Sequence, residues 1–171
     1  MTATGWRAAS ACFAAVLTAG CGSSSPQPEP SPLASTIHVA DPKEANQLVS
    51  GFYSIEENSW RWTAQKFSVL LHPPAGSAQK GATLLMSFTV GDGTIQQLKD
   101  LTLSASIAGS MLPPQTYTSA GPSTYIREVP PGLVGSPSVQ IDFQLDKVLA
   151  PTGGDVRSLG VIVASIGLEP K

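Results

Sequence analysis

Few side chains in this sequence have the types and spacing that catalysis requires. Only two histidines are present, His38 and His72, and a nucleophilic triad needs a histidine held against a serine or threonine. No nucleophile-elbow sequence occurs in the chain. The adjacent Glu56 and Glu57 would point to opposite sides of a strand, so they do not form the carboxylate pair that glycoside hydrolysis uses. We therefore predict a protein that is not an enzyme.

The sequence also predicts no metal site and no cofactor. It lacks the His-x-Glu-type and paired-Asp spacings that would supply three ligands. The two cysteines, Cys12 and Cys21, both lie near the N-terminus. The rest of the chain has no thiol, so it has neither an internal disulfide nor a thiolate metal site.

The aromatic residues offer another kind of chemistry. Trp60 and Trp62 would share one face of a strand, with Arg61 on the other. Such indoles either form a platform on which a sugar ring stacks or fill a core, where each would bury about 200 Å². We assign Trp62 a structural role in the core, because large apolar rings are normally buried. Trp60, Tyr117 and Tyr125 are candidate ligand-binding residues, on the condition that their rings are exposed.

Asp155 and Arg157 are two residues apart and would also share a face in extended chain. A carboxylate beside a guanidinium can hydrogen-bond sugar hydroxyls. However, Gly153-Gly154-Asp155 is typical of a turn in which the Asp carboxylate accepts from nearby backbone donors, and Arg157 can brace a loop with its fork of donors. We assign both residues a structural role.

The N-terminus has the three parts of an export signal: Arg7, an apolar stretch at residues 8–17 that is too short to span a membrane, and small residues before Cys21. Leu17-Thr18-Ala19-Gly20-Cys21 resembles the lipobox that lipoprotein signal peptidase reads, with Thr18 in the usual place of Leu. The resemblance implies cleavage before Cys21 and a lipid on its sulfur, which anchors the protein to a membrane. The alternatives are ordinary secretion with a free Cys21, or a cytosolic protein with an apolar N-terminus.

This interpretation divides the chain into a signal peptide at 1–20, a lipidated Cys with a Pro/Ser-rich tether at 21–35, a lead-in at 36–50 and a β-sandwich at 51–171. The tether cannot bury enough apolar area to fold. Within the lead-in, Asp41-Pro42 resembles a helix start. In lipoproteins of diderm bacteria, Asp after the lipidated Cys retains the protein at the inner membrane. By that resemblance Gly22 implies the outer membrane.

Composition favours strands over helices. The chain has 15 prolines and 16 glycines in 171 residues, which disfavours long helices. Charged residues make up only 13%, so Ser, Thr, Gln, Gly and Pro must cover much of the surface. The net charge is −2 and the basic residues are scattered, which is not the pattern of a nucleic-acid-binding surface.

Apolar and polar residues alternate in four segments, around Phe67, Phe88, Leu103 and Phe143. In these segments one parity is apolar, while Ser68, Ser87, Ser104, Ser106, Gln140, Asp142 and Gln144 belong to the other. The last segment, Leu159 to Leu168, is apolar on both parities and predicts a central strand covered on both faces. With turn residues between the segments, about eight strands predict an all-β fold, an antiparallel two-sheet sandwich with jelly-roll topology. A barrel around a ligand cavity is the alternative.

Two stretches go beyond periodicity. Gly51-Phe52-Tyr53-Ser54-Ile55-Glu56 with Trp60-Arg61-Trp62-Thr63, and Asp155-Val156-Arg157-Ser158-Leu159-Gly160-Val161, resemble a sandwich domain found beside bacterial glycosyltransferases and in envelope-polysaccharide proteins. The resemblance would cover Gly51 to Leu168. It implies a β-sandwich and possible partners among polysaccharides, but no functional residue is carried over by it.

Two functions follow from these observations. The first is a non-catalytic, membrane-anchored envelope protein that binds carbohydrate. The second is a structural or protein-interaction lipoprotein of the envelope that takes no small ligand. An exposed aromatic ring in a shallow polar groove would favour the first, and a flat apolar patch would favour the second.

Overall fold

The structure of the protein, a computed structural model, describes residues 1–2 and 32–171. Cys21, almost all of the predicted signal peptide and most of the predicted tether lie outside the described residues. The elements in chain order are β1 (Thr36–His38), a 3-10 helix (Pro42–Gln47), β2 (Leu48–Glu56), β3 (Trp60–Leu71), α1 (Ser77–Lys80), β4 (Ala82–Val90), α2 (Asp92–Leu98), β5 (Leu101–Ile107), β6 (Ser110–Tyr117), β7 (Gly121–Val129), a second 3-10 helix (Pro131–Leu133), β8 (Val139–Leu145) and β9 (Ile162–Pro170).

The strands β4, β5 and β8 show the predicted alternation of buried and more exposed residues. In each of these strands every second residue is buried and the residues between are not. In β3, Phe67, Val69 and Leu71 are buried, and Ser68 on the opposite face is only 4% exposed as well. Successive side chains of a strand point to opposite faces, so the apolar parity forms the core and the polar parity faces solvent.

The nine strands of the described residues pair antiparallel in one continuous order, which divides at the short β3–β9 pairing into two sheets in jelly-roll order. A four-stranded sheet has the order β1-β9-β4-β7, and a five-stranded sheet has the order β2-β3-β8-β5-β6. Arg61 and Trp62 at the start of β3 pair with β9, and this pairing joins the two sheets. From β3 onward the chain crosses between the sheets at every step except the β5-β6 hairpin. The predicted all-β sandwich is therefore confirmed.

Aromatic rings connect the sheets through the core. Phe67 and Phe143 are cross-strand partners within the five-stranded sheet and stack with ring centroids 4.9 Å apart. Tyr125 of β7 meets Phe143 edge to face at 6.5 Å, and Phe88 of β4 meets Tyr117 of β6 at 5.1 Å. Both contacts run from one sheet to the other, so these rings help to set the spacing of the two layers.

The folded unit begins before Gly51. In the predicted lead-in, Ile37 and Val39 are buried, and Asp41 caps the first 3-10 helix by accepting from the backbone N–H of Lys43. Buried Gln47 accepts from the N–H of Ala34 at 2.8 Å and donates to the carbonyl oxygens of Ala34 and Leu70. The end of the predicted tether at Ala34 is thus bound to the sandwich.

β9 differs in one respect from its prediction. It is a central strand, with β4 on one side and β3 and β1 on the other. However, Ala164 is exposed, so the strand is not covered on both faces. Apolar residues occupy both parities because the pairing with β4 shifts register at Ala164. The buried side chains therefore change from Val161 and Val163 before the shift to Ile166 and Leu168 after it.

β6 and β7 end the continuous strand order and do not pair with each other, so in the described part of the chain the two sheets are not joined by strand pairing on this side. Side chains bridge these two edges instead. Tyr125 Oη and Arg127 Nε donate to the carbonyl oxygen of Pro113, and Arg127 Nη2 donates to that of Pro114. Tyr117 Oη donates to the carbonyl oxygen of Thr124.

We expect Phe143→Ala to lower the free energy of unfolding by about 3–5 kcal/mol, because the ring is 2% exposed and its loss leaves a cavity against Phe67. Urea denaturation of the compact unit at residues 31–171 measures this. Val156→Ala is the control, since Val156 is 87% exposed and should change stability by less than about 0.5 kcal/mol. Equal effects of the two changes would contradict the assigned core.

Candidate functional site

Two of the three candidate ligand-binding aromatics are inside the protein. Tyr125 is fully buried and Tyr117 is 7% exposed, and each hydroxyl donates to a backbone carbonyl. Their rings contact Phe143 and Phe88. Neither ring can serve as a surface for a ligand, so this assignment was wrong. A tyrosine is buried readily when its hydroxyl finds a partner, as both do here.

The tryptophans lie between core and surface. Trp60 and Trp62 are each partly exposed, so Trp62 is not the fully buried core residue that we expected. Their rings meet edge to face, with centroids 6.2 Å apart and an interplanar angle of 85°. Trp62 also packs closely over Gly91, where an added Cβ would lie 3.3 Å from the ring. Because the two rings are nearly perpendicular, they do not form one flat platform.

Asp155 and Arg157 are brought together, and Glu56 joins them. Arg157 Nη2 lies 2.8 Å from an Asp155 carboxylate oxygen, and Arg157 Nη1 lies 2.7 Å from Glu56 Oε1. Hydrogen bonds from Arg157 lower the pKa of Asp155. Tyr53 Oη donates to the carbonyl oxygen of Ser158 nearby. These contacts attach the loop between β8 and β9 to β2. The part played by Glu56 was not found from the sequence.

A larger set of polar side chains lies elsewhere, on the outer face of the five-stranded sheet. A groove of about 440 Å³ opens there. One cross-strand row runs across its floor from β2 to β6, and consists of Ser50, Ser68, Asp142, Ser106 and Met111. Neighbours in such a row have Cβ atoms about 5 Å apart. Asp142 is in the middle, with a serine on either side.

A second row lies beside the first and adds longer polar side chains. It consists of Lys66, Gln144 and Ser104, on β3, β8 and β5. Gln140, on the other side of Asp142 along β8, donates from Nε2 to Asp142 Oδ1 at 2.8 Å. We call the polar residues of these two rows, together with Gln140, the polar floor. It combines an acceptor-only carboxylate, a donor-only ammonium, and amides and hydroxyls that do both.

Apolar side chains stand at both rims of the groove. Val49 on β2 is 48% exposed and Met111 on β6 is 67% exposed. β2 comes close enough to form one rim because Gly51 has no side chain. Its φ is +76°, and an added Cβ would lie 2.1 Å from the carbonyl oxygen of Lys66. The Gly that begins the Gly-Phe-Tyr motif is therefore required by the approach of β2 to β3.

Most residues of the polar floor can be identified from the alternation of polar and apolar residues in the sequence. Ser68, Ser104, Ser106, Gln140, Asp142 and Gln144 all belong to the outward parity of predicted strands. What periodicity does not give is which strands are neighbours and in which register. Lys66, Ser50 and the rim residues Val49 and Met111 were missed for this reason.

No group of three or more His, Cys, Asp or Glu side chains that could hold a metal ion occurs among residues 1–2 and 32–171. His72 Nδ1 lies 2.6 Å from the carbonyl oxygen of Pro137, so that ring nitrogen contacts backbone. None of the helices in the described residues has the length and apolar composition needed to cross a membrane.

Comparisons with known proteins add little to this geometry. No family model matches the chain, and no curated protein matches it. One similar solved structure is that of CBM51-2 in complex with GlcNAc and INT domains from Clostridium perfringens ZmpB, at 12% identity and a TM-score of 0.36. The match covers 80% of this chain but only 28% of that one. Another, described as CBM4 structure and function, has 10% identity and a TM-score of 0.38, and covers 80% and 85% of the two chains. At these TM-scores neither similarity carries an argument.

The buried tyrosines predict a loss of stability in alkali. Burial raises the pKa of Tyr117 to about 12 from an ordinary 10.0, and raises the pKa of Tyr125 as well. A tyrosine whose pKa is higher in the folded state resists ionisation there. The stability it contributes is complete below pH 10 and is lost as the pH rises towards 12.

We expect wild-type protein to lose about 1–2 kcal/mol more than Tyr117→Phe by pH 12, where the folded hydroxyl is about half ionised. Urea denaturation at several pH values between 8 and 12 tests this. Identical pH profiles for the two proteins would contradict the burial of the hydroxyl.

Proposed function

We propose that this protein is a lipid-anchored protein of the cell envelope that binds carbohydrate, without catalysing a reaction, in the groove on its five-stranded sheet. The observation that carries the proposal is the polar floor between two exposed apolar rims. A sugar presents hydroxyl groups at its edges and C–H groups on its ring faces. The groove offers partners for both.

The polar floor suits hydroxyl groups because its members differ in hydrogen-bonding character. The Asp142 carboxylate accepts hydrogen bonds, the Lys66 ammonium donates them, and the Gln144 amide does both. The hydrogen bond from Gln140 to Asp142 orients the carboxylate before a ligand arrives. Such preorganisation reduces the conformational entropy that binding would otherwise cost.

Hydrogen bonds contribute more to ligand binding in this groove than aromatic stacking does. The aromatic residues that line the groove, Phe67 and Phe143, are 1% and 2% exposed, so neither presents a ring face to a ligand. Val49 and Met111 supply the apolar contacts instead. Met is well suited to this, since its flexible thioether adapts to irregular surfaces.

The groove also argues for binding over hydrolysis. Glycoside hydrolysis normally uses two carboxyl groups, one on each side of the scissile bond. Among the residues that line the groove, Asp142 is the only acidic one.

The membrane anchor rests on the sequence alone. The proposed lipid on Cys21 would attach the protein permanently, because each buried CH₂ contributes about 0.8 kcal/mol and a lipidated Cys carries several acyl chains. Gly22 favours the outer membrane as the destination. The Pro/Ser-rich tether would hold the sandwich away from the bilayer, at about 3.1 Å per residue in extended form.

Lipidation of Cys21 predicts a defined mature N-terminus. Mass spectrometry of protein extracted from membranes should show a chain that begins at Cys21 and carries the added acyl mass. In Cys21→Ala the protein should leave the membrane fraction. An unmodified Cys21, or cleavage at another position, would contradict the anchor.

The groove predicts glycan binding that depends on its floor. On an array of bacterial envelope glycans, wild-type protein should bind, and Asp142→Ala and Gln144→Ala should each weaken binding by about tenfold or more, because each loses a hydrogen bond to the ligand. Asp92→Ala and Gln97→Ala are matched controls: both residues are exposed on α2, away from the groove. They should bind as wild type does.

A different result would favour the second function. If no glycan binds, while a pull-down from membranes brings a defined protein partner that the Asp142 variant loses, the outer face of the five-stranded sheet is a protein-binding surface. If the control variants weaken binding as much as the groove variants, the binding site lies outside the groove.

A further inference from the structure

The groove does not end at Gln140. A second cavity of about 300 Å³ begins at that point. Its lining residues are Ile107, Ala108, Leu133, Ser136, Ser138, Val139, Gln140 and Asp142. Gln140 and Asp142 also line the groove, so the two cavities share part of their walls.

β8 is the element that runs through both cavities. Gln144, Asp142, Gln140 and Ser138 alternate along the strand and the residue before it, and all four are exposed. Side chains at alternate positions of a strand are about 7 Å apart and point to one face. They therefore form a ladder of hydrogen-bonding groups about 20 Å long. One sugar ring can reach only part of this ladder.

The second cavity differs from the first in composition. Leu133 and Ala108 face it beside Ser136 and Ser138, so it combines apolar and hydroxyl groups on a smaller scale. The hydrogen bond between His72 and the carbonyl oxygen of Pro137 ties the loop that carries these serines to the end of β3. The wall of the second cavity is thus attached to the same sheet as the groove.

We infer that the ligand is a segment of a linear glycan several sugars long, which lies along β8 and occupies both cavities, with Asp142 and Gln140 contacting its middle. This inference rests on the proposed function and specifies the class of carbohydrate. A single terminal sugar would fill one cavity and leave the other empty. An extended chain uses the whole ladder.

The test is the dependence of affinity on chain length. Full-length protein purified in detergent is titrated with glucan, mannan, galactan and N-acetylglucosamine oligomers, each as a series from one to eight sugars. In the series that binds, affinity should rise by about tenfold or more between the single sugar and the hexasaccharide, and then level off.

Substitutions in the second cavity test the position of the chain. Ser138→Trp and Ser136→Trp place a large ring there and should weaken hexasaccharide binding by about tenfold, with less than about a twofold effect on the disaccharide. Ser119→Trp is the matched control, an exposed serine between β6 and β7. Thermal unfolding of each variant shows whether it is folded.

Three outcomes separate the possibilities. The inference is supported if affinity grows with chain length and both tryptophan variants bind the hexasaccharide more weakly than wild type does. A single sugar that binds as tightly as the hexasaccharide, or folded tryptophan variants that bind every length as wild type does, overturns the inference and leaves the proposed function in place. Absence of binding throughout all four series, together with a negative glycan array, overturns both.

Discussion

The pairing of β3 determines both surfaces of the five-stranded sheet. Its first residues pair with β9 and its later residues pair with β8, so β3 joins the two layers. The register sets Phe67 opposite Phe143 in the core and Ser68 opposite Asp142 in the groove. Because side chains alternate, a shift of one residue would turn Ser68 into the core and expose Phe67. The apolar core and the polar floor are therefore two results of one register, and burial of the phenylalanines stabilises the arrangement of the groove.

Rigidity is the main property that the sheet gives to this site. Polar side chains on a loop would have to be ordered when a ligand binds, at a cost in conformational entropy. Here the backbone beneath them is held by ladder hydrogen bonds on neighbouring strands. Hydrogen bonds between Ser50 and Ser68, and between Gln140 and Asp142, restrict the side chains further. The low content of charged residues, 13%, means that amides and hydroxyls supply much of the polar surface of the protein.

Alternation in the sequence predicted β3, β4, β5 and β8 and which parity of each is apolar, because alternation is a local property. It did not predict neighbours: Ser106 and Asp142 are 36 positions apart and meet only through strand order. Tyr117 and Tyr125 were wrong as candidate ligand-binding residues because the sequence does not show whether a tyrosine hydroxyl finds a buried hydrogen-bond partner. In the lead-in, the helix start at Asp41-Pro42 follows from the sequence, but the attachment of this segment to the sandwich does not, because it depends on hydrogen bonds between Gln47 and distant backbone. Each of these contacts depends on how separate elements pack, which periodicity does not show.

The prolines of β6 affect how copies of the protein meet one another. An edge strand with free N–H groups is a template on which another chain can add, and long sheets grow in this way in amyloid. Pro113 and Pro114 have no N–H to offer. Their carbonyl oxygens already accept from Tyr125 and Arg127. A second sandwich that approached this edge would find no N–H donors at Pro113 and Pro114 and carbonyl oxygens that are already bonded, so this part of β6 is a poor template for edge-to-edge association.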